Sequence, residues 1–227
     1  MDIATNLDRI RQQIAEVCAS CGRRPHEVRL VAVSKKKPAA DIEAAIAAGQ
    51  TVIGESYVQE CVTKMAEVTA PAEWHFIGSL QSNKVKYLRG KVAMIHSVDR
   101  LSLAREIDKQ WGKIDATAAI LIQVNVGGEG SKSGTTAERL MTLVRQIAQL
   151  EHVQIRGLMT LPPWEEDPED VRPYFRELKT LAAEVDALAL PNVSMQELSM
   201  GMSHDYPVAI EEGATLVRIG TAIFGAR

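Results

Sequence analysis

Residues 28–55 read VRLVAVSKKKPAADIEAAIAAGQTVIGE, and this stretch contains one complete strand–helix–strand pattern. Two short β-branched runs, 28–34 and 51–55, enclose a segment, 38–48, whose apolar residues recur at helical spacing. The first run is apolar on both faces, which is typical of a strand covered by helices on one side and by a core on the other. The pattern therefore predicts a parallel βαβ unit.

The same alternation runs through the whole chain and predicts eight strands. The other predicted strands are short and apolar or β-branched: 74–78, 92–97, 119–126, 153–160, 193–199 and 215–220. The other predicted helices are 6–21, 58–68, 83–88, 100–111, 136–150, 169–188 and 206–212. Eight units without a composition break favour a single-domain (β/α)8 TIM barrel over residues 1–227. A doubly wound sheet is the alternative, but no GxGxxG fingerprint follows the first strand.

Composition narrows the class of protein. The 227 residues carry a formal net charge of −3, so no basic field indicates nucleic acid or an anionic membrane as a partner. The N-terminal stretch is amphipathic and contains acidic residues, which fits neither a secretory signal nor a transit peptide. The three cysteines are an odd number, which favours a reduced, cytoplasmic environment. We interpret the Cys18–Cys21 pair as two small residues one helical turn apart, because no second ligand pair follows at metal-binding spacing.

In a TIM barrel, functional residues lie at the C-terminal ends of the strands. Three lysines follow the first strand, and strand alternation selects among them. If Val31 and Val33 face the barrel interior, Lys35 follows them inward and Lys36 points toward the helices. A lysine ringed by apolar walls loses hydration and becomes a neutral amine nucleophile. The alternative is a solvated loop lysine, and alternation alone does not decide between the two.

Glycines and hydroxyls follow the last two strands. Gly201-Met202-Ser203 and Gly220-Thr221 lie where strands seven and eight end and short helices begin, which is the recurrent phosphate site of this barrel. The alternative is a pair of ordinary turns with capping hydroxyls. Arg218 is expected to point inward, where it would need a ring nitrogen or a carboxylate as partner.

Other polar positions give weaker signals. His75, within strand three, is either a cofactor-binding residue or, more commonly, a satisfied core histidine. Glu55 and Asp99 are candidate acids or orienting groups. The stretch 127–134 lacks the register of a nucleotide-binding P-loop, and we expect it to be a lid over the barrel mouth.

Several blocks of sequence at these strand ends carry a family resemblance. They are 31–38 (VAVSKKKP), 54–60 (GESYVQE), 74–78 (WHFIG), 80–84 (LQSNK), 131–134 (SKSG), 156–159 (RGLM), 198–203 (LSMGMS) and 217–225 (VRIGTAIFG). Together, in this order and spacing, they resemble the pyridoxal phosphate homeostasis proteins (the YggS/PROSC group). The resemblance implies a barrel like the N-terminal domain of alanine racemase, without its C-terminal β-domain.

The resemblance also implies a cofactor and its contacts. Pyridoxal 5′-phosphate (PLP) would form a Schiff base with Lys35, and Arg218 would face the pyridine nitrogen. The phosphate would be held by Ser203, Gly220 and Thr221, next to Met202. One departure is visible, because Ser56 stands where the family usually has asparagine; this puts cofactor affinity in doubt. Lys37 would be a secondary PLP acceptor.

Two functions compete. The first is PLP homeostasis, in which the protein buffers or delivers the cofactor, with PLP-dependent apo-enzymes as partners and no catalytic turnover. The second is an amino-acid racemase, which needs a base on each face of the cofactor; in alanine racemases a second domain supplies one of them. A Schiff-base aldolase is disfavoured, because no lysine ends strand six. We expect a PLP-binding monomer, with a weak dimer as the alternative, and no nucleic-acid, membrane or metal partner.

Overall fold

The computed structural model describes residues 2–128 and 133–225. Within these ranges, eight parallel strands close into one barrel in chain order, which confirms the predicted fold. The strands are β1 (Arg29–Val33), β2 (Val52–Glu55), β3 (Glu73–Phe76), β4 (Met94–Val98), β5 (Ala118–Gln123), β6 (Val153–Met159), β7 (Val193–Ser199) and β8 (Leu216–Ile219). Every C-terminal strand end therefore opens at the same mouth of the barrel.

Helices surround the barrel on the outside. They are α1 (Ile3–Ser20), α2 (Ala39–Ala47), α3 (Val58–Glu67), α4 (Val85–Leu88), α5 (Leu101–Gly112), α6 (Ala137–Ile147), α7 (Arg172–Asp186), α8 (Tyr206–Glu211) and α9 (Thr221–Phe224). The predicted helix 169–188 starts instead as a 3-10 turn, Pro168–Val171, and becomes α-helical at Arg172. Among the described residues, no helix combines the length and the apolar character needed to cross a membrane.

The apolar residues of α1 explain how the chain's two ends meet. Leu7, Ile10, Ile14 and Cys18 recur at helical spacing and are buried. Asp2 caps the helix by accepting a hydrogen bond from the backbone N–H of Ala4 at 3.1 Å. Burial of each large apolar side chain contributes roughly 1.5–3 kcal/mol. The helix thereby packs against α8 and α9 and covers the seam where the last strand meets the first.

Alternation along the strands divides the core into two parts. Leu30 and Ala32 belong to the large core between the barrel and the helices. Val31, between them, belongs to a smaller cluster inside the barrel. The members of this interior cluster are Val31, Val52, Met94, Leu121, Met159 and Leu216. The expected inward orientation of Val31 is thus observed, and it sets the direction in which the following lysines leave the strand.

Candidate functional site

The lysines after β1 form a tight turn. The backbone N–H of Lys37 donates to the carbonyl of Ser34 at 3.0 Å, which closes a four-residue turn with Lys35 and Lys36 at its centre. Lys36 has φ +62°, a left-handed conformation that a type II turn requires at this position. For a residue other than glycine this conformation costs roughly 1–2 kcal/mol. Such a cost persists only where the surroundings fix the backbone, and it is a common feature of functional sites.

A buried ionic cluster fixes this turn from behind. The Lys64 Nζ on α3 donates to the Ser34 carbonyl at 2.7 Å, to Glu55 Oε1 at 2.7 Å and to Glu60 Oε1 at 2.6 Å. The backbone N–H of Lys36 donates to the same Glu60 oxygen at 2.5 Å, and the Ser34 hydroxyl donates to Glu55 at 2.6 Å. We call Ser34, Glu55, Glu60 and Lys64 the lysine-turn clamp.

The clamp changes how Glu55 is interpreted. Its carboxyl group is fully buried, and desolvation raises its pKa above the ordinary range, although the hydrogen bonds from Lys64 and Ser34 oppose that rise. Glu55 is therefore a partner of Lys64 behind the turn. The sequence pattern selected Glu55 but missed Lys64, which reads as an ordinary i,i+4 partner of Glu60 on a helix surface.

Lys35 lies at the barrel mouth. It lines a cavity of about 360 Å³ whose other lining residues are Ser56, Tyr57, Ile77, Gly78, Ser79, Gln123, Ser133 and Leu161. A Cβ on Gly78 would lie 2.0 Å from the carbonyl oxygen of Ser56, so only glycine allows these two strand ends to approach. The Gln123 amide donates to the Ser133 carbonyl at 3.0 Å and so joins the last part of the segment between β5 and α6 to the cavity wall.

The glycine-containing turns after β7 and β8 lie beside this lysine. Gly220 and Thr221 line a small cleft together with Lys35 and Lys37, and the Thr221 hydroxyl donates to Ser203 Oγ at 3.2 Å. A Cβ on Gly220 would lie 3.1 Å from the Val33 carbonyl oxygen, which keeps this strand end close to β1. The two turns that were expected to bind phosphate therefore meet next to the first strand end.

A buried carboxylate holds the turn after β7. Asp205 Oδ1 accepts a hydrogen bond from the backbone N–H of Met202 at 2.5 Å. Burial raises the pKa of this carboxyl group, while the hydrogen bond from Met202 and the charge of Arg218 act in the opposite direction. Asp205 gives no functional signal in the sequence, because an aspartate before a short helix resembles an ordinary cap.

Arg218 points into the barrel, as expected. Only 4% of the residue is exposed, and its guanidinium donates to Ser199 Oγ at 2.6 Å and to the Thr160 carbonyl at 2.8 Å. Desolvation lowers its pKa to about 10, and the charge of Asp205 partly opposes that effect. Both hydrogen bonds seen among the described residues go to neutral oxygens. The cation is thus buried without a carboxylate in contact, a costly arrangement that is typical of binding sites.

His75 lies inside the barrel with both ring nitrogens engaged. Its Nε2 is 2.8 Å from Glu73 Oε1, and its Nδ1 is 2.9 Å from His96 Nε2. A hydrogen bond from His75 to a molecule at the mouth would require one of these contacts to break. The geometry is that of a satisfied interior histidine, the more common of the two interpretations considered above.

Two further expectations concern the rim. Asp99, at the end of β4, contacts Arg100 at 2.6 Å and lines a different cleft from Lys35. We also expected a lid over residues 127–134, of which residues 129–132 lie outside the described residues. Within residues 2–128 and 133–225, no group of three or more His, Cys, Asp or Glu side chains could hold a metal ion.

Three kinds of group therefore surround one barrel mouth. An amine at Lys35 can attack a carbonyl carbon, and a buried guanidinium at Arg218 can donate to an uncharged acceptor. The hydroxyls of Ser203 and Thr221, beside the close-packed Gly220, can hold an anionic group. This set suits a compact ligand that carries an aldehyde, a heterocyclic nitrogen and a phosphate.

Comparison with known proteins gives consistent matches over nearly the whole chain. The family "Alanine racemase, N-terminal domain" matches residues 5–227. A "Pyridoxal phosphate homeostasis protein" of Aquifex aeolicus is 47% identical, over 100% of this chain and 99% of that protein. PipY of Synechococcus elongatus, solved with PLP bound, superposes with a TM-score of 0.82 at 40% identity, over 93% of this chain and 100% of PipY. An unknown protein from Bifidobacterium adolescentis superposes with a TM-score of 0.93 at 34% identity, over 98% of this chain and 94% of that protein.

Proposed function

Because this chain belongs to the pyridoxal phosphate homeostasis protein family, we propose that it binds PLP reversibly and buffers or delivers the cofactor. One observation carries this proposal. Lys35 lies in a barrel-mouth cavity and also borders the Gly220–Thr221 turn, so an amine and an anion-binding turn are adjacent. PLP supplies an aldehyde, which condenses with a primary amine to form a C=N bond with loss of water.

Lys35 is the proposed Schiff-base residue. Its position two residues beyond the end of β1 lets the amine reach the cavity, while the lysine-turn clamp fixes the backbone on which it is carried. Lys37 borders the same cleft, but its Nζ donates to the Phe224 carbonyl at 2.8 Å. That contact directs its amine toward α9, so we propose Lys35 as the primary acceptor and Lys37 as a secondary one.

Four residues are proposed to hold the phosphate. The Ser203 and Thr221 hydroxyls lie 3.2 Å apart and can both donate to phosphate oxygens. Gly220 keeps the turn free of a side chain, and the backbone at Met202 is held in place by Asp205. Because the first N–H groups of a helix have no partner within the helix, the start of α9 adds donors at the same place.

Arg218 is proposed to donate a hydrogen bond to the pyridine nitrogen. A guanidinium is a donor only, so it favours the unprotonated nitrogen. An unprotonated ring withdraws electrons weakly, which suits a protein that holds the cofactor without turning over a substrate. Ser56, which borders the cavity with Lys35, is shorter than the asparagine usual at this position and leaves room for a water molecule.

The finer parts of the proposal concern the cell. We propose that the protein is a cytoplasmic monomer that exchanges PLP with PLP-dependent apo-enzymes. The cysteines Cys18, Cys21 and Cys61 are all free thiols, which suits a reducing compartment. The amino-acid racemase is the second candidate, since the matching family is named after that enzyme.

Borohydride trapping tests the assignment of Lys35. Purified protein loaded with PLP should show a visible absorbance that Lys35→Ala strongly reduces, and reduction followed by peptide mapping should label chiefly Lys35. Lys37→Ala is the matched control, because this lysine borders the same cleft; it should keep both the absorbance and the label. Label confined to Lys36 or Lys37 would contradict the assignment.

A second measurement separates the two functions. The loaded protein should form no D-alanine from L-alanine above the rate of free PLP. Sustained formation of the D-isomer, lost in Lys35→Ala, would establish the racemase instead.

A further inference from the structure

The barrel interior contains a continuous row of polar side chains below the mouth. It begins at Arg218, whose guanidinium is 2.6 Å from Ser199 Oγ. Ser199 Oγ is 2.9 Å from His96 Nδ1, and His96 Nε2 is 2.9 Å from His75 Nδ1. The row ends where His75 Nε2 lies 2.8 Å from Glu73 Oε1. We call these five residues the interior chain.

The two ends of the interior chain lie on opposite sides of the barrel. Glu73 is the first residue of β3, so it lies at the N-terminal face, where 39% of its side chain is exposed. His75, His96 and Ser199 are fully buried. Arg218 is the third residue of β8, and the proposed site lies above it. The interior chain therefore links solvent at the N-terminal face of the barrel to Arg218, the group proposed to contact the cofactor ring.

Hydrogen-bond chemistry fixes the direction of this chain. A guanidinium can only donate, so Ser199 Oγ accepts from Arg218 and has its single hydrogen left for His96 Nδ1. His96 Nδ1 then accepts, which puts the His96 proton on Nε2, and that proton is donated to His75 Nδ1. His75 in turn carries its proton on Nε2 and donates it to the Glu73 carboxylate, which can only accept. Each link fits the next with both histidines neutral.

The electrostatic surroundings favour the protonation states of His96 and Glu73 that this direction requires. Burial is the main cause that lowers the pKa of His96 well below its ordinary range, and the charges of Arg218 and Arg29 act in the same sense. The hydrogen bond from His75 lowers the pKa of Glu73, with Arg29 contributing further. A neutral His96 and an ionised Glu73 are the states that the chain needs.

A protonated His75 would give the opposite arrangement. Its two N–H groups would donate to Glu73 and to His96 Nε2, so the His96 proton would move to Nδ1 and point at Ser199. Ser199 would then accept from both Arg218 and His96, and its own hydrogen would have no acceptor among the five residues of the interior chain. The charged groups near this region are Arg29, Glu73, Glu197 and Arg218, together with Asp205 beside the mouth. In both arrangements the Glu73 carboxylate accepts from His75 Nε2, so a neutral His75 must accept at Nδ1, and only the first arrangement is open to it.

From this geometry we infer that His96 and His75 are positioning residues for Arg218, and that the Glu73 carboxylate at the far face of the barrel sets their tautomers. The inference rests on the proposed function in one respect, because it takes Arg218 to be the group that contacts the PLP ring. By giving the Ser199 hydrogen an acceptor at His96, the interior chain fixes the Ser199 contact of the guanidinium below the site, while other N–H groups of Arg218 can face the cofactor.

Nitrogen NMR of the histidines tests the direction without any cofactor. In the PLP-free protein at neutral pH, we expect His75 and His96 each to carry one proton, on Nε2. A proton on Nδ1 of His96, or two protons on either ring, would overturn the inference. This outcome is independent of PLP binding, so it remains decisive even if borohydride trapping on Lys35 fails.

Substitution of Glu73 tests the coupling. Glu73→Gln can either accept from or donate to His75, so it no longer enforces one direction, and the His96 signal should split between two tautomers. We expect PLP to dissociate about 3- to 10-fold more readily, with a shifted absorbance maximum, since one ordinary net hydrogen bond is worth about that factor. Equal tautomers and equal PLP affinity in Glu73→Gln and wild type would refute the coupling.

Three further variants separate this inference from a merely structural effect. Glu197→Gln removes a carboxylate from the same face and the same Arg29 partner, but Glu197 does not contact His75. It should leave the tautomers, the PLP affinity and the absorbance unchanged; an effect equal to that of Glu73→Gln would contradict the inference. Ser199→Ala should weaken PLP binding, and Ser199→Thr, which keeps the hydroxyl, should restore most of it. If Ser199→Ala is folded and Ser199→Thr does not restore PLP binding, the inference is contradicted as well.

Discussion

At the scale of single residues, the backbone of Lys36 is held in a conformation that its side chain disfavours. Its φ of +62° would suit glycine, yet the turn persists because Glu60 accepts from the Lys36 N–H and Lys64 binds the Ser34 carbonyl. The strain lies next to the amine proposed to bind PLP. It is therefore accounted for by local contacts that fix where Lys35 projects.

Replacement of Lys36 by glycine should relieve this strain. Glycine adopts positive φ readily but loses more backbone entropy on folding, so Lys36→Gly should change the free energy of unfolding by about 0 to +1 kcal/mol. Urea denaturation of the PLP-free protein measures the difference. Lys36→Ala is the matched control, since it removes the same side chain but keeps the strain; it should not be stabilised. Greater stability of the alanine variant would contradict this account.

Ser56 offers a second prediction at the residue scale. Asparagine, the family's usual residue, reaches further into the cavity than serine and can add one hydrogen bond. Ser56→Asn should tighten PLP binding about 3- to 10-fold, the range expected for one net hydrogen bond. Ser79→Asn enlarges another residue that lines the same cavity and serves as the control. Equal effects of the two changes on the PLP dissociation constant would rule out a specific contact at Ser56.

At the scale of elements, α3 acts on the first strand through one buried ammonium group. The Lys64 Nζ joins α3 to the ends of β1 and β2, because its three acceptors come from Ser34, Glu55 and Glu60. A carboxylate buried at Glu55 is tolerable only while this cation is present. The helix is thus part of the support of the barrel mouth as well as of its outer layer.

Removal of the ammonium group should destabilise the fold and loosen the turn. Lys64→Met leaves Glu55 buried without its cation, and we expect the free energy of unfolding to fall by about 3–5 kcal/mol. The double variant Lys64→Met with Glu55→Gln removes both charges and should recover part of the loss. Thermal or urea unfolding measures both variants. A double variant no more stable than Lys64→Met alone would mean that the ion pair does not determine the effect.

At the scale of the whole molecule, the sequence pattern predicted the barrel and which strand ends border its mouth. It did not predict the contacts that hold those strand ends in place. Strand alternation identified eight strands and the inward side of β1, because each strand carries its own local pattern. Lys64 and Asp205 were missed, since their burial depends on how α3 and the β7–α8 turn pack against the barrel. The interior chain left one sequence signal: His75, His96 and Arg218 interrupt apolar strands. That Ser199 joins them into one hydrogen-bonded row follows only from the closure of the barrel.

The pH dependence of stability provides a prediction that involves the whole molecule, through two carboxyl groups with opposite shifts. Burial raises the folded-state pKa of Asp205, so its contribution to stability is present below the ordinary value of 3.8 and is lost as pH rises through the raised pKa. Hydrogen bonds from the backbone N–H and hydroxyl of Thr69 lower the pKa of exposed Glu43, so its contribution is present above 4.5 and lost as pH falls. Asp205→Asn should therefore gain stability relative to wild type as pH rises from about 4 to 6, whereas Glu43→Gln should lose it. Urea unfolding of the three proteins at each pH measures both differences in the free energy of unfolding. If the free energies of Asp205→Asn and wild type change in parallel with pH, Asp205 does not titrate as its burial requires.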